Sequence, residues 1–304
     1  METLRTPDER FADLPDWPWQ PRYGEVDDLE GGRLRMHWID EGPRGADPVL
    51  LMHGEPTWGY LYRTMIPVLV DAGHRVVVPD LVGFGRSDKP AHVSDHTYAR
   101  HVTWMSQLVF DVMGLDRITL FCQDWGGLIG LRLVASRSDH FLRVVTGNTG
   151  LPRGDGRLGE AFLAWQRHSV ETPVFHTGRI VSSGCVRPLT PETIAAYEAP
   201  FPDDRYLAGP RIMPSLVPGN ADSPEASPNT AAWEALGRFD KPWLCTFSDG
   251  DPVTRGGDRA FIAAVPGTRG QPHVTVTDAG HFLQEDKGGE LATIIAGFIA
   301  ANPA

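Results

Sequence analysis

Short apolar runs and stretches of helical spacing take turns along the first half of the chain, and their order predicts a layered fold. Residues 34–40, Leu-Arg-Met-His-Trp-Ile-Asp, alternate like a strand with one wet face. Pro48 to Met52 is continuously apolar, as in a strand covered on both faces. Gly54 then punctuates, and Trp58 to Val70 carries helical spacing. Arg75 to Asp80 reads as another strand, ended by the turn-rich Gly83-Phe84-Gly85-Arg86-Ser87-Asp88. Thr97 to Met113 predicts a helix, Ile118 to Phe121 a buried strand, Leu128 to Leu133 a helix, and Phe141 to Asn148 a strand. Such alternation implies an α/β fold with a mostly parallel sheet covered by helices on both faces. Reactive residues then gather beyond the carboxyl ends of the strands, where His53, Asp80, Asp124 and Asn148 fall.

The rhythm breaks after Gly150. Residues 151–230 hold no convincing βαβ unit and are rich in proline, among them Pro188, Pro191, Pro200, Pro202 and Pro210. Helical stretches at Gly159–Ser169 and Pro191–Glu198 make this an inserted helical cap, with Pro218–Pro228 as its return linker. The βα rhythm resumes with strands at Lys241–Phe247 and His273–Thr277 and helices at Gly257–Val265 and Glu285–Ala300. The expected division is a core of residues 1–150 and 231–304 around a cap of residues 151–230.

Composition narrows the class. A chain of 304 residues, 41% apolar and 22% charged, is long enough to bury a large core. A net charge of −11 with no basic block argues against a nucleic-acid partner. The three cysteines, Cys122, Cys185 and Cys245, form no CxxC pair and fit a reducing compartment. The first residues lack the apolar stretch of a signal peptide, and no window approaches the ~18–20 apolar residues that span a bilayer. The expectation is a cytoplasmic protein without membrane attachment.

The candidate chemistry centres on Cys122-Gln123-Asp124-Trp125-Gly126-Gly127. Small-x-nucleophile-x-small-small between a strand and a helix is the layout of a nucleophile elbow, with a carboxylate where serine is usual. A carboxylate can attack an sp³ carbon and form an ester. A base is expected at His281, in Asp278-Ala279-Gly280-His281-Phe282 after the last strand. One histidine among eleven is most often a surface or core imidazole, and it is the place after the final strand that singles out His281. The acid that orients it lies in Ser248-Asp249-Gly250-Asp251-Pro252. Asp251 is preferred because Pro252 fixes the chain after it, while Asp249 before Gly250 suits an Asx-type turn. The order Asp…Asp…His is the nucleophile–acid–histidine order of α/β-hydrolases. Asn148 cannot be the acid. An oxyanion hole is expected from the backbone N–H groups of Glu55, in His53-Gly54-Glu55-Pro56, and of Trp125. Most of the nine tryptophans are core fillers, but the indole N–H of Trp125 beside the nucleophile wants a partner, and a halide would satisfy it. A second donor should come from the cap, where Trp165 is expected to point down and Trp233, expected to pack the linker, is the weaker candidate.

These residues resemble the haloalkane dehalogenases over nearly the whole chain. The likeness is dense in His53-Gly54-Glu55-Pro56-Thr57-Trp58, Gly83 to Pro90, Gln123 to Gly127 and Gly280 to Glu285, and it reaches Ala199-Pro200-Phe201-Pro202 in the cap. It implies an α/β-hydrolase fold with Asp124 as nucleophile, Asp251 as acid, His281 as base, and Trp125 and Trp165 as halide donors. The implied reaction is hydrolysis of a haloalkane to a primary or secondary alcohol and halide, through an ester on Asp124, with neither metal nor organic cofactor. The expected partners are a small halogenated aliphatic substrate, water and halide, and the expected state is a monomer. Epoxide hydrolysis by the same triad is the alternative. It needs acidic O–H donors in the cap, where only Tyr197 and Tyr206 are available. Fluoroacetate-type dehalogenation wants an Arg beside the nucleophile, where Trp125 stands. A non-catalytic receptor has no need of Asp251 and His281 together, and a serine esterase is excluded because no GxSxG occurs.

Overall fold

In the computed structural model, which describes residues 1–156 and 158–303, the expected strands assemble into one sheet. Its members are β1 (Arg22–Asp27), β2 (Arg33–Glu41), β3 (Pro48–Met52), β4 (Arg75–Pro79), β5 (Ile118–Gln123), β6 (Phe141–Gly147), β7 (Trp243–Ser248) and β8 (Val274–Val276). The eight lie in the order 1-2-4-3-5-6-7-8. β1 pairs antiparallel with β2, and β2 antiparallel with β4. Every other pairing is parallel. A short antiparallel ribbon, Thr3–Leu4 against Lys89–Pro90, lies outside this sheet.

The period-2 alternation of the strands divides the interior into two cores. Leu50, Met52, Val77, Leu120 and Val144 join one, and Val49, Leu51, Val76, Phe121 and Val145 join the other. The first is covered by α2 (Tyr98–Ser106), α3 (Trp125–Ser136), α8 (Ala226–Leu236) and α9 (Asp258–Ala264). The second lies under α1 (Ile66–Asp71) and α10 (Leu283–Ala301). All residues of β3 and β5 are buried, as continuous apolar runs should be.

Three departures from the sequence pattern have physical causes. The helical spacing over Trp58 to Val70 yields only a 3₁₀ turn at Gly59–Tyr62 and the short α1. Pro67 in the first turn of α1 bars a continuous helix, since its ring would meet the carbonyl four residues back. β1 was not anticipated: Arg-Tyr-Gly-Glu-Val-Asp is an edge strand in which only Val26 is buried, and so has no apolar rhythm. α8 begins at Ala226, inside the stretch expected as linker. Pro228 falls in its first turn, where the missing N–H breaks no helical bond.

Between β6 and α8 lie α4 (Glu160–Glu171), α5 (Thr177–Ser183), α6 (Pro191–Glu198) and α7 (Ala208–Ile212). Of the segment expected as cap, Arg157 lies outside the described residues, as does Ala304 of the closing core segment. α6 is bound to the core by the Trp58 indole, which donates to the Ala196 carbonyl at 3.1 Å. The buried Arg63–Glu285 ion pair adds to this, because Tyr197 of α6 donates to the same carboxylate of α10.

Candidate active site

Asp124 is the single residue between β5 and α3, at φ 50° and ψ −127°. A residue with a side chain resists that conformation, so its neighbours must hold it there. The Asp124 N–H donates to the Asn148 carbonyl at 3.0 Å. The Asp124 carbonyl accepts from Gly127 N at 2.9 Å, Leu128 N at 3.1 Å and the Thr149 hydroxyl at 2.8 Å. Close packing explains the glycines: a Cβ on Gly126 would overlap the Met52 carbonyl, and one on Gly54 would overlap the Asp124 side chain. The carboxylate stands at the positive end of α3 and accepts the Glu55 N–H at 2.8 Å. The other expected donor, the Trp125 N–H, opens that helix one residue further on.

The structure brings the three expected catalytic side chains together. His281 Nδ1 donates to Asp251 Oδ2 across 3.0 Å, and its Nε2 lies 3.6 Å from Asp124 Oδ2. Asp251 is fully buried, whereas Asp249 is exposed. The Asx-type turn expected of Asp249 is made instead by Asp251, whose Oδ1 accepts Val253 N at 2.8 Å while Oδ2 takes the Thr254 hydroxyl. Burial alone would raise the Asp251 pKa. The His281 charge and these hydrogen bonds override it and hold the carboxyl at about 2. Burial likewise disfavours imidazolium, and the charges of Asp251 and Asp124 override it, pushing His281 up to about 10. Asn148 has a part that its place at a strand end did not disclose. Its amide donates to Ser248 Oγ, to the Gly280 carbonyl and to the His281 carbonyl at 2.8, 2.9 and 3.0 Å, tying β6 to β7 and to the histidine loop.

Above these groups is a cavity of about 550 Å³, in the size range of small-molecule sites. Asp124, Trp125 and His281 line it from the loops at the sheet's end and the start of α3, and Phe162, Trp165 and Ile180 from α4 and α5. Trp125 is buried edge-on against Tyr98 at 4.9 Å, and its indole N–H has no partner among the described residues. Trp165 projects from α4 as expected. Trp233 instead donates to the Leu151 carbonyl at 2.7 Å and stacks on Phe261. Glu55 also lines the cavity. Burial, and then the Asp124 charge, push its pKa well above the carboxylate range, although the nearby Trp165 indole draws it part of the way back. Neither Tyr197 nor Tyr206 reaches the cavity wall.

Residues 47–288 match the family model of the α/β-hydrolase fold. A haloalkane dehalogenase of Psychrobacter cryohalolentis is 57% identical over 303 residues, covering 100% of both chains. One of Mycobacterium marinum is 49% identical over 292 residues, 96% of this chain and 98% of its own. The tetrameric haloalkane dehalogenase DpaA from Paraglaciecola agarilytica has a structure that superposes with a TM-score of 0.88 at 36% identity, over 96% of this chain and 97% of that one. The chain belongs to the haloalkane dehalogenase family of α/β-hydrolases. It is a hydrolase acting on carbon–halide bonds, and it converts haloalkanes with water to alcohol and halide.

In the dehalogenase, two other residues at strand ends support the loops and do not line the cavity. His53 Nε2 accepts the Leu81 N–H at 2.9 Å, so its Nδ1 carries the proton that goes to the Gly54 carbonyl. Asp80 accepts from Gly59 N at 2.7 Å, Arg86 N at 2.8 Å and His37 Nδ1 at 2.7 Å. These bonds hold the loops after β3 and β4 in place. Among the described residues no helix is long and apolar enough to cross a membrane.

Proposed function

We propose that the dehalogenase works in two steps through an ester on Asp124. The observation that carries the proposal is the convergence, at one cavity, of the Asp124 carboxylate, the Asp251–His281 pair and an unpartnered Trp125 indole N–H. In the first step Asp124 attacks the halogen-bearing carbon in line, forming the C–O bond as the carbon–halogen bond breaks. Trp125 and Trp165 donate to the departing halide, whose charge exists only as the bond breaks, so the interaction favours the transition state. In the second step His281, oriented by Asp251, takes a proton from water. The water oxygen bonds to the ester carbonyl carbon, and the N–H groups of Glu55 and Trp125 hold the oxyanion. Alcohol, halide and a proton leave, and Asp124 is regenerated. Esterification also prepares the base: it removes the Asp124 charge, one of the two that favour imidazolium.

The epoxide alternative loses support because neither cap tyrosine faces the cavity. Wild-type enzyme offered a panel of bromoalkanes and styrene oxide is expected to release bromide and leave the oxide closed. Opening of the oxide without bromide release would reverse the assignment. We further propose that residues 151–230 act as the cap that shapes substrate choice. The free cysteines support a cytoplasmic location, which cell fractionation tests. The tetrameric relative does not fit the monomer expected from sequence, and we propose that this chain self-associates in the same way.

A further inference from the structure

Gln123 directly precedes Asp124, is fully buried, and enters neither step above. Its side-chain nitrogen lies 3.1 Å from His281 Nε2 and 3.2 Å from the His281 carbonyl oxygen. The carbonyl fixes which way the amide faces, because an amide oxygen turned toward it would set acceptor against acceptor. Asn148 donates to the same carbonyl, so two amides hold the His281 main chain. Gln123 Oε1, by contrast, is buried with no partner. The side chain forgoes a bond to its oxygen while keeping both N–H groups on His281.

An amide N–H can only donate. It bonds to Nε2 when that nitrogen carries a lone pair, and it opposes a proton there, donor against donor. In the resting enzyme the charges of Asp251 and Asp124 favour imidazolium and the contact opposes it; with Nδ1 donating to Asp251, the contact favours the neutral ring with its proton on Nδ1, the form that a base for water requires. We propose that Gln123 is a positioning residue for His281, whose amide keeps Nε2 bare and turned toward the carboxyl group of Asp124 for the second step. The inference rests on the two-step reading. The charged or titratable groups facing His281 are Asp251 from the loop after β7, Asp124 from the elbow and Glu55 from the loop after β3. Once Asp124 is esterified, only Asp251 still favours imidazolium, and the Gln123 donor tips the ring to the base. When Nε2 takes a proton from the attacking water, the Gln123 N–H keeps its bond to the His281 carbonyl alone. Release of that proton restores the contact.

Gln123→Met keeps the length and removes the donor. In single turnovers with 1-bromobutane, the bromide burst reports the first step and decay of the butyl-enzyme reports the second. In Gln123→Met the acid limb of the decay rate is expected to move up by about one pH unit, a roughly tenfold slowing below neutrality that is recovered at high pH. Gln123→Glu, which sets an acceptor against Nε2, is expected to move it further the same way. An acid limb unmoved from wild type in the folded variants overturns the proposal, whatever happens to the absolute rate. If neither variant folds, Asp124→Asn imitates the uncharged ester with Gln123 in place. Nitrogen-15 spectra near neutral pH should then show neutral His281 with its proton on Nδ1, and imidazolium there overturns the proposal. No bromide burst from wild type would instead sink the two-step reading itself.

Discussion

Asp124 is held at a positive φ by four hydrogen bonds to its own peptide groups, at a conformational cost of about 1–3 kcal/mol. The strain lifts the carboxylate clear of the strand, facing His281 and the cavity. Three titrating residues of the site were legible in sequence, because each follows a strand and sits in a short motif with turn residues around it. Asn148 and Gln123 were not. Their partners lie on other strands and loops, and a neutral amide in a sequence discloses no task until those partners are placed. The Asp251–His281 pair has a pH signature that can be worked out by sign. The Asp251 pKa is depressed from its ordinary value of about 3.9, so its contribution to stability is present above that value and lost as pH falls toward about 2. The His281 pKa is raised from about 6.5, so its contribution is full below 6.5 and lost as pH rises through about 10. Asp251→Asn should therefore lose most stability relative to wild type between about pH 4 and 6.5, with the gap closing toward pH 10, as read by urea unfolding across that range. A pH-independent difference would show that the pair is not charged as described. The same variant should slow ester hydrolysis by about 10³–10⁴-fold, since the histidine loses its orienting partner.

At the scale of elements, the pairing of α6 with α10 joins the helical segment after β6 to the helix that follows His281. Arg63 and Glu285 are only 8% and 2% exposed, and Tyr197 shares the carboxylate. Removing one charge of a buried pair strands the other. Glu285→Gln is therefore expected to destabilise the protein by about 3–5 kcal/mol in denaturant unfolding, and a loss under 1 kcal/mol would mean that Arg63 is solvated. Runs such as Pro48–Met52 and Ile118–Phe121 could be read directly, because strands buried on both faces leave no polar interruptions. The pattern misled where one proline divided an otherwise helical spacing, at Pro67, and where a strand lay at the sheet edge with little to bury, at Arg22–Asp27.

At the scale of the whole molecule, Asp124 stands at the end of the sheet, and α4 and α5 supply the facing wall of the cavity. In the proposed mechanism, low polarity there strengthens the interaction of each N–H with growing charge, on the halide in one step and on the oxyanion in the other. The loss of βα rhythm after Gly150 matches the run of helices, α4 to α8, that separates β6 from β7 among the described residues. How α4 and α5 line the cavity was not visible in the sequence, because short helices interrupted by proline carry little periodicity. The state of assembly is equally a property of the whole surface. Light scattering is expected to return the mass of four chains, and the mass of a single chain would return the enzyme to the monomer expected from sequence.

The ester on Asp124 is the claim on which the rest depends. Replacing His281 by Phe removes the base for the second step while leaving nucleophile and halide donors in place. Incubated with 1-bromobutane and weighed by intact-mass spectrometry, His281→Phe is expected to gain one butyl group per chain, mapped to the peptide carrying Asp124, with one bromide released for each adduct. Bromide released without any adduct, or an adduct on another residue, would contradict it.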